Sequence, residues 1–486
     1  MAEAAAAQAE RKGTQLDGTS APPPSAADET EVALYEVRKK IYPRAVHGWF
    51  AAMRWTLVWF TQIIFYGLPW LVWNNRQAVL FDLAARKFYI FGLVFWPQDF
   101  IYLTLLLVIS ALSLFLFTAL AGRLWCGYAC PQTVYTEIFL WVEQKIEGGR
   151  LERMRLDQAA AGPRKLALKG AKHAIWIAIG LWTGFTFVGY FTPIHELLHA
   201  VTTFSTGPWE TFWILFYGFA TYGNAGWMRE QVCKYMCPYA RFQGVMFDRD
   251  TLIVTYDPGR GEPRGGRSRK ADPRALGLGD CVNCDMCVQV CPTGIDIRNG
   301  LQYECIGCAA CIDACDQVMD RMGYPKGLIR YSTENAIEQH FTPEQMKRRI
   351  LRPRLFVYAG ILVAVIAALF IALYMRVPLK VEVLSDRATL MREVEGGRLE
   401  NVYRVRISNT QEVLHRYRIS ASGIRTLTVA SDNEVEVPPA TTRVFPMRLR
   451  IDSGIVSKGS HRIEVEVQSL DDAKVLDREE AVFLVR

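Results

Sequence analysis

Eight of the twelve cysteines form two runs with the same spacing, C-x2-C-x2-C-x3-C, which starts at Cys281 and again at Cys305. A C-x2-C-x2-C loop wraps three corners of a cubane iron–sulfur cluster, and the fourth thiolate must come from elsewhere in the chain. The spacing therefore predicts two [4Fe–4S] clusters with crossed ligation. The predicted ligand sets are Cys281, Cys284, Cys287 and Cys315 for one cluster, and Cys305, Cys308, Cys311 and Cys291 for the other.

Two other kinds of site use closely spaced cysteines. A zinc site uses four ligands at related spacings, and a small secreted domain uses paired cysteines as disulfides. Neither kind of site requires two tandem runs that agree at all eight positions. Iron–sulfur chemistry is therefore the preferred interpretation, and it predicts that the protein transfers electrons.

The remaining four cysteines form two C-x3-C-P motifs, Cys126–Pro131 and Cys233–Pro238. Residues i and i+4 share one helix face, and the following proline favours a helix boundary. Two thiols at each of two equivalent helix ends indicate a redox or metal-binding role, and soft thiolates suit Cu(I) or an iron–sulfur cluster. Simple packing of buried cysteines is the alternative. The choice between metal binding and dithiol chemistry stays open.

A third motif, His195-Glu-Leu-Leu-His199, matches the H-E-x-x-H pattern of zinc proteases. It lies in a short connection between two apolar segments, where a protease would lack a third ligand and room for a peptide. We therefore do not predict a protease. Metal binding by His195 and His199 on the outer side of a membrane is left open.

Five uncharged apolar segments are long enough to cross a bilayer, at residues 55–73, 100–121, 174–192, 211–228 and 355–375. All thirteen tryptophans lie between Trp49 and Trp227, and tryptophan favours membrane–water interfaces. Lys and Arg are abundant in 123–173 and 229–354 but absent from 193–208. The positive-inside rule then predicts a multi-pass protein with its N-terminus and clusters in the cytoplasm and its C-terminal part outside.

The chain divides into parts of different composition. We predict a disordered cytoplasmic tail at 1–40 and a four-helix transmembrane core at 41–250 that carries both C-x3-C-P motifs. A cytoplasmic domain with two clusters follows at 251–350, and a fifth transmembrane helix at 351–376. Residues 377–486 alternate with period two around positions such as Val405 and Val465, which predicts a β-sandwich. The net charge of +7 is assigned to loops beside anionic lipid, and no nucleic-acid partner is expected.

Several stretches resemble the FixG/CcoG membrane ferredoxins, accessory proteins for cbb-type cytochrome c oxidase. The stretches that carry the resemblance are Phe88-Tyr-Ile-Phe-Gly, Trp96-Pro-Gln-Asp99, both C-x3-C-P motifs, Tyr256-Asp-Pro-Gly-Arg-Gly-Glu-Pro-Arg-Gly265, the segment 291–305 and Gly327-Leu-Ile-Arg-Tyr331. The similarity runs from about residue 41 to the C-terminus and leaves no cysteine unmatched. It implies an α-helical transmembrane bundle, an inserted two-cluster ferredoxin-like domain and a C-terminal immunoglobulin-like sandwich.

The resemblance also implies a function, a location and partners. The function is reduction of Cu(II) to Cu(I) for copper delivery to the oxidase, with Cys126, Cys130, Cys233 and Cys237 as the copper-facing thiols. The location is the bacterial cytoplasmic membrane, with the sandwich in the periplasm. The partners are copper, the oxidase subunits or their copper chaperones and transporters, and an electron donor of unknown identity. Two alternatives remain: a quinol-linked electron conduit to a periplasmic reductase, and a non-catalytic assembly scaffold.

Overall fold

The structure is a computed structural model that describes residues 40–273, 275–386 and 391–485. The predicted disordered tail at 1–40 lies outside these residues apart from Lys40. A helical region follows the tail. Its helices are α1 Trp49–Gly67, α2 Phe100–Ala121, α3 Leu124–Tyr128, α4 Pro131–Glu147, α5 Arg150–Gln158, α6 Pro163–Val188, α7 Ile194–Thr202, α8 Pro208–Thr221 and α9 Pro238–Met246, with 3-10 turns at Leu68–Trp70 and Pro97–Asp99 and π-helical segments at Tyr222–Met228 and Val232–Met236.

Helices α6 and α8 pack with their backbones in direct contact. A Cβ atom on Gly180 would lie 2.7 Å from the carbonyl oxygen of Gly218, and one on Gly184 would collide with the carbonyl oxygen of Ile214. Small residues spaced four apart allow this close approach, as they do between membrane helices. The glycines of α6 therefore determine how closely its partner helix can lie.

Two helical stretches in the described part of the chain are long and apolar enough to cross a membrane, Pro97–Ala121 and Pro353–Tyr374. They correspond to the second and fifth predicted spans, and they pack against each other. The fourth predicted span differs most from the expectation. Its α-helix ends at Thr221, and the chain continues as a π-helix to Met228. Membrane crossing by all five segments stays a prediction.

Small sheets occupy the connection between α1 and α2, where the sequence indicated no regular structure. Their strands are β1 Val72–Trp73, β2 Arg76–Gln77, β3 Val79–Asp82, β4 Lys87–Ile90 and β5 Leu93–Phe95, paired as β1-β2 and β3-β4-β5. The buried amide of Gln77 joins this connection to α7. It donates to the carbonyl of Gly189 at 2.7 Å and accepts from the backbone N–H of Ile194 at 2.9 Å.

The cysteine-rich region is built on a two-stranded antiparallel ribbon and several short helices. Buried apolar side chains such as Val254, Ile312, Met319 and Ile329 form its core with the cysteines. The elements are β6 Ile253–Tyr256, α10 Pro258–Gly261, α11 Met286–Gln289, a 3-10 turn Ile297–Asn299, α12 Ala310–Met322, β7 Ile329–Ser332, α13 Glu334–Glu338 and α14 Pro343–Ile350, before the long helix α15 Pro353–Tyr374.

The C-terminal part is a β-sandwich, as the alternating pattern predicted. One sheet has the order β12-β14-β10-β8 with β9 beside β10, and the other has the order β13-β11-β15-β16. Inward residues such as Tyr403, Val405, Val465 and Phe483 are fully buried between the sheets. The strands are β8 Leu379–Ser385, β9 Arg392–Val394, β10 Arg398–Asn409, β11 His415–Ser422, β12 Thr428–Val429, β13 Glu434–Val437, β14 Thr442–Ile451, β15 Gly459–Ser469 and β16 Leu476–Val485.

An acidic residue at the start of α2 connects the helices to the sandwich. Asp99 is buried and accepts an ion pair from Arg376, just after α15, at 2.8 Å, and a second one from Lys380 in β8. Arg376 also donates to the carbonyl of Val94 at 2.6 Å. A third ion pair, Arg76 with Glu412, joins β2 to the sandwich at a separate place. The sandwich is therefore fixed to the helical part at two places.

Candidate iron–sulfur and thiol site

The first predicted cluster set lines one cavity. Cys281, Cys284 and Cys287 come from the loop that ends in α11, and Cys315 comes from α12. The side chain of Arg298 reaches the same cavity. The structure thus places beside the first run the cysteine that ends the second run, which is the arrangement that crossed ligation requires.

The second predicted set lines a neighbouring cavity. Cys305, Cys308 and Cys311 surround it together with Cys291. Cys287 lines both cavities, so the two sites share a wall. A shared wall means that electrons could pass between two bound clusters over a very short path.

The two loops have matching backbone conformations. Asn283 and Gly307 precede the second cysteine of each run with φ values of 52° and 68°, and Asp285 and Ala309 follow it with φ values of 53° and 58°. These left-handed residues curl each loop around its cavity. Backbone N–H groups then face the sulfurs, as the N–H of Gly307 faces Cys305. Such groups stabilise the negative charge of thiolates that hold a cluster.

Burial makes free thiolates unfavourable at this site. It raises the pKa of Cys287, Cys305 and Cys315 to about 12 and that of Cys308 to about 11. Iron binding offsets this cost, because a metal deprotonates a thiol that coordinates it. Four converging thiols, inward N–H groups and a mostly apolar lining fit a [4Fe–4S] cluster at each position.

Each site also has a nearby arginine, which the sequence reading missed. Arg298 lowers the pKa of the Cys287 thiol against the larger effect of burial, and Arg54 of α1 does the same for Cys308. Arg54 also donates to the carbonyl oxygen of Cys308. These cations offset the negative charge of a cluster held by four thiolates. No spacing rule connects residue 54 to residue 308, so only the fold could reveal this contact.

The C-x3-C-P motifs differ in structure from the expectation. Cys126 lies within α3, which ends at Tyr128, and Cys233 lies within a π-helical segment, which ends at Met236. Cys130 and Cys237 are extended residues that precede the prolines of α4 and α9. The second cysteine of each pair therefore begins the next helix and does not share a helix face with the first. The proline is the physical reason, since it disfavours helical geometry in the preceding residue.

The four thiols of the two motifs are close enough to influence one another electrostatically. Burial raises the pKa of Cys126 to about 11 and that of Cys233 to about 12, and the neighbouring thiols add to both shifts. The side-chain amide of Gln243 in α9 donates to the sulfur of Cys126 at 3.4 Å. Within the described ranges, no three His, Cys, Asp or Glu side chains are placed to hold a single metal ion. The four thiols are therefore close together, but in the described residues they do not have the geometry of a single-metal site.

The first motif touches the loop of the second cluster site. A Cβ atom on Gly127 would lie 2.9 Å from the backbone of Cys308, so only glycine allows this contact. The hydroxyl of Tyr331 donates to the carbonyl of Gly307 at 2.7 Å and lies 3.3 Å from the hydroxyl of Tyr128. The first C-x3-C-P motif and the second cluster cavity are thus adjacent.

The two histidines of the H-E-x-x-H motif lie elsewhere. They are on α7, and the ring of His195 packs edge-on against Trp70 with ring centroids 5.4 Å apart. In the part of the chain that the structure describes, no third metal-binding side chain joins them. External metal binding by His195 and His199 stays a prediction without structural support.

Comparison with known families agrees with this site. Residues 103–148 match a family model described as a 4Fe-4S binding domain, and this range includes Cys126 and Cys130. Residues 228–334 match a 4Fe-4S dicluster domain, and residues 369–486 match the IG-like fold at the C-terminal of FixG. The chain is therefore an iron–sulfur protein with ferredoxin-type domains and a C-terminal immunoglobulin-like domain.

Curated relatives match nearly the whole chain. Protein RdxA of Cereibacter sphaeroides is 40% identical over 428 residues, which cover 86% of this chain and 90% of RdxA. Nitrogen fixation protein FixG of Rhizobium meliloti is 41% identical over 407 residues, 77% of this chain and 78% of FixG. A crystal structure of a FixG-related protein from Vibrio parahaemolyticus aligns to 22% of this chain and 97% of its own, with 19% identity and a TM-score of 0.21. The full-length matches confirm the resemblance noted from the motifs: the chain belongs to the FixG family.

Proposed function

We propose that this protein transfers electrons from two [4Fe–4S] clusters to copper, reducing Cu(II) to Cu(I) for delivery to a cbb-type cytochrome c oxidase during its assembly. The observation that carries the proposal is the contact of Gly127 with Cys308. This contact brings the first C-x3-C-P motif, and with it the nearby thiols of the second motif, against the wall of the second cluster cavity. A cluster site and a soft-metal site in contact are what single-electron reduction of a metal ion requires.

Cys281, Cys284, Cys287 and Cys315 would hold one cluster, and Cys305, Cys308, Cys311 and Cys291 the other. Bound clusters supply single electrons. The protein's own part is to exclude water from the two cavities and to hold them side by side through Cys287. Arg298 would offset the negative charge of the first cluster and its thiolates, and Arg54 that of the second.

Copper is the substrate at the second part of the site. Thiolates are soft ligands that favour Cu(I) over Cu(II), so Cys126, Cys130, Cys233 and Cys237 would make the reduction more favourable. Burial keeps the thiols of Cys126 and Cys233 protonated at neutral pH, because it raises the pKa of both. Binding of Cu(I) would therefore release protons and weaken as the pH falls.

The location is part of the proposal. The chain would lie in the bacterial cytoplasmic membrane with α2 and α15 among its crossing helices, the clusters in the cytoplasm and the sandwich in the periplasm. The apolar surface of α2 and α15 supports this placement. Oxidase subunits or their copper chaperones and transporters would be the partners.

The first test replaces Cys126, Cys130, Cys233 and Cys237 by serine in the purified protein. The clusters are first reduced with dithionite and the excess reductant is removed, because dithionite itself reduces Cu(II). When Cu(II) is then added with a cuprous chelator as indicator, Cu(I) production should fall at least about tenfold, because the soft ligands are lost. The visible absorbance of the clusters should stay unchanged. A double variant, His195→Ala with His199→Ala, is the control and should reduce copper at the normal rate.

A second variant tests the electron path from the cluster site to the C-x3-C-P thiols. Gly127→Val keeps all four thiols but forces the motif away from Cys308. Copper reduction should slow, while the number of titratable thiols stays the same. If the quadruple serine variant reduces copper at the normal rate, the thiols are structural and the proposed route is wrong.

A further inference from the structure

A large cavity lies between α1, α4 and the loops of the cluster region. Its volume is about 640 Å³, within the range of about 300–1,000 Å³ that is usual for small-molecule sites. Its wall is formed by five separate parts of the chain, which include residues 43–59, 132–144 and 290–310. The proposed electron path to copper does not use this space.

The cavity adjoins both redox parts of the molecule. Thr293, Ile306, Cys308 and Ala310 line it and also line the second cluster cavity. Cys233 of the second C-x3-C-P motif forms another part of its wall. A molecule bound there would contact the loop of a predicted cluster ligand, close enough to exchange electrons with it.

One side of the cavity is aromatic and reaches an apolar surface. Trp55 and Trp141 line it and pack edge to face, with ring centroids 6.3 Å apart. Trp59 lines it too and is 63% exposed, beside the exposed Phe60 and Ile63 on α1. An apolar ligand could therefore enter from a surface that lipid would cover, and stack on indole rings inside.

The inner side is polar, but its cations are already engaged. Arg54 donates to the carbonyl of Cys308, Arg153 donates to the carbonyl of Pro43, and Arg229 pairs with the buried Glu143 at 2.7 Å. Because these guanidinium groups already bind protein oxygens, they are not free to bind a phosphate group, and this disfavours a nucleotide as the ligand. An uncharged ring with hydrogen-bonding oxygens fits the wall better.

Glu137 of α4 supplies an acid–base group in this wall. Burial raises the pKa of its carboxyl group, and Arg54 acts in the opposite direction. A carboxyl group with a raised pKa takes up a proton more readily than an exposed carboxyl group does. A ligand that loses protons together with electrons would use such a group.

We propose that this cavity binds a membrane quinol, which is the electron donor of the protein. Oxidation breaks two O–H bonds of the quinol. One proton passes to the carboxylate of Glu137 and the second passes to water at the mouth of the cavity. The two electrons pass one at a time through the Cys308 loop, and each reduces one [4Fe–4S] cluster from the 2+ to the 1+ state. The quinone leaves by the side of Trp59. This proposal rests on the proposed electron-transfer function and identifies its donor.

The binding test uses the full-length protein in detergent and decyl-ubiquinone as the probe. Quinone should quench the tryptophan fluorescence saturably. Ala52→Phe fills the cavity, because Ala52 lines it and is exposed on α1. This variant should raise the Kd at least about tenfold, a change of about 1.4 kcal/mol. Thr56→Phe, one turn along the same helix and outside the cavity wall, is the matched control and should bind normally.

The chemical test uses decyl-ubiquinol and follows cluster reduction by absorbance. Glu137→Gln should bind quinone as the unsubstituted protein does but slow reduction by quinol, and dithionite should still reduce its clusters normally. Copper reduction by protein whose clusters were reduced with dithionite and then freed of excess reductant should survive Ala52→Phe, so that failure of the quinol site is distinguishable from failure of the copper route. Equal quenching in Ala52→Phe and Thr56→Phe would overturn the proposal. So would displacement of the probe by phospholipid without any quinol-driven reduction.

Discussion

At the scale of single residues, the eight cysteines line two cavities in the groups that the spacing predicts, and crossed ligation of clusters by them stays a prediction. Spacing supplied the eight cysteines and the rule that each fourth ligand comes from the other run. It could not supply the partners of those cysteines, because Arg54 and Gly127 reach Cys308 from distant parts of the chain. Spacing also identified the C-x3-C-P motifs. It predicted that both cysteines of a motif share one helix face, whereas in the structure the second cysteine precedes the proline that begins the next helix.

Crossed ligation predicts which single substitutions should have equal effects. Cys315→Ser should give the same electron paramagnetic resonance spectrum as Cys284→Ser, since these two cysteines line one cavity. Cys291→Ser should match Cys308→Ser, since that pair lines the other. In each case one cluster signal should be lost and the other kept. The reverse matching, Cys315 with Cys308, would rule out the crossed assignment.

At the scale of elements, the strands of the sandwich were predictable and the exact helices were not. Alternation identified the stretches that form β10, β11, β14 and β15, because one face of each strand is buried. Hydropathy placed a span at 174–192, whereas α6 already begins at Pro163 with several basic residues. An apolar window cannot detect a helix that continues beyond it. The short strands β3, β4 and β5 carry too few residues to show a period.

The contact between α6 and α8 predicts opposite effects for two glycine substitutions on one helix. Gly184→Ala places a methyl group against the carbonyl of Ile214 and should destabilise the protein by about 1–3 kcal/mol. Gly170→Ala meets no atom within 4 Å and should be neutral or stabilising by up to about 1 kcal/mol. Thermal unfolding of both variants in detergent is the measurement. Equal midpoints for the two variants would show that the close packing of α6 on α8 contributes nothing to stability.

The sequence predicts a division of the molecule into parts by composition, but the cavities between those parts cannot be predicted from composition. The large cavity is an example, since its wall comes from five stretches of chain that no local pattern relates. The predicted topology, in contrast, follows from charge alone. It depends on the distribution of Lys and Arg around the apolar segments and not on how the helices pack.

The topology predicts the behaviour of enzyme fusions in a bacterial cell. Alkaline phosphatase joined after residue 486 should be active, because the sandwich would be periplasmic. The same enzyme joined after Lys270 should be inactive, since the basic stretch around it would stay in the cytoplasm. A cytoplasmic reporter, β-galactosidase, should show the opposite pattern at the two sites. Phosphatase activity at Lys270 would contradict the charge-based orientation.

The ion pairs of Asp99 determine how freely the sandwich can move. A domain on a flexible tether samples a large volume, so anything bound to it has a low effective concentration at the far end of the tether. Here only residues 375–378 separate α15 from β8, and both Arg376 and Lys380 are held by the same carboxylate. A molecule bound to the sandwich is therefore presented to the helices at one distance and in one orientation. Its transfer to or from them is closer to an intramolecular step than to an encounter in solution.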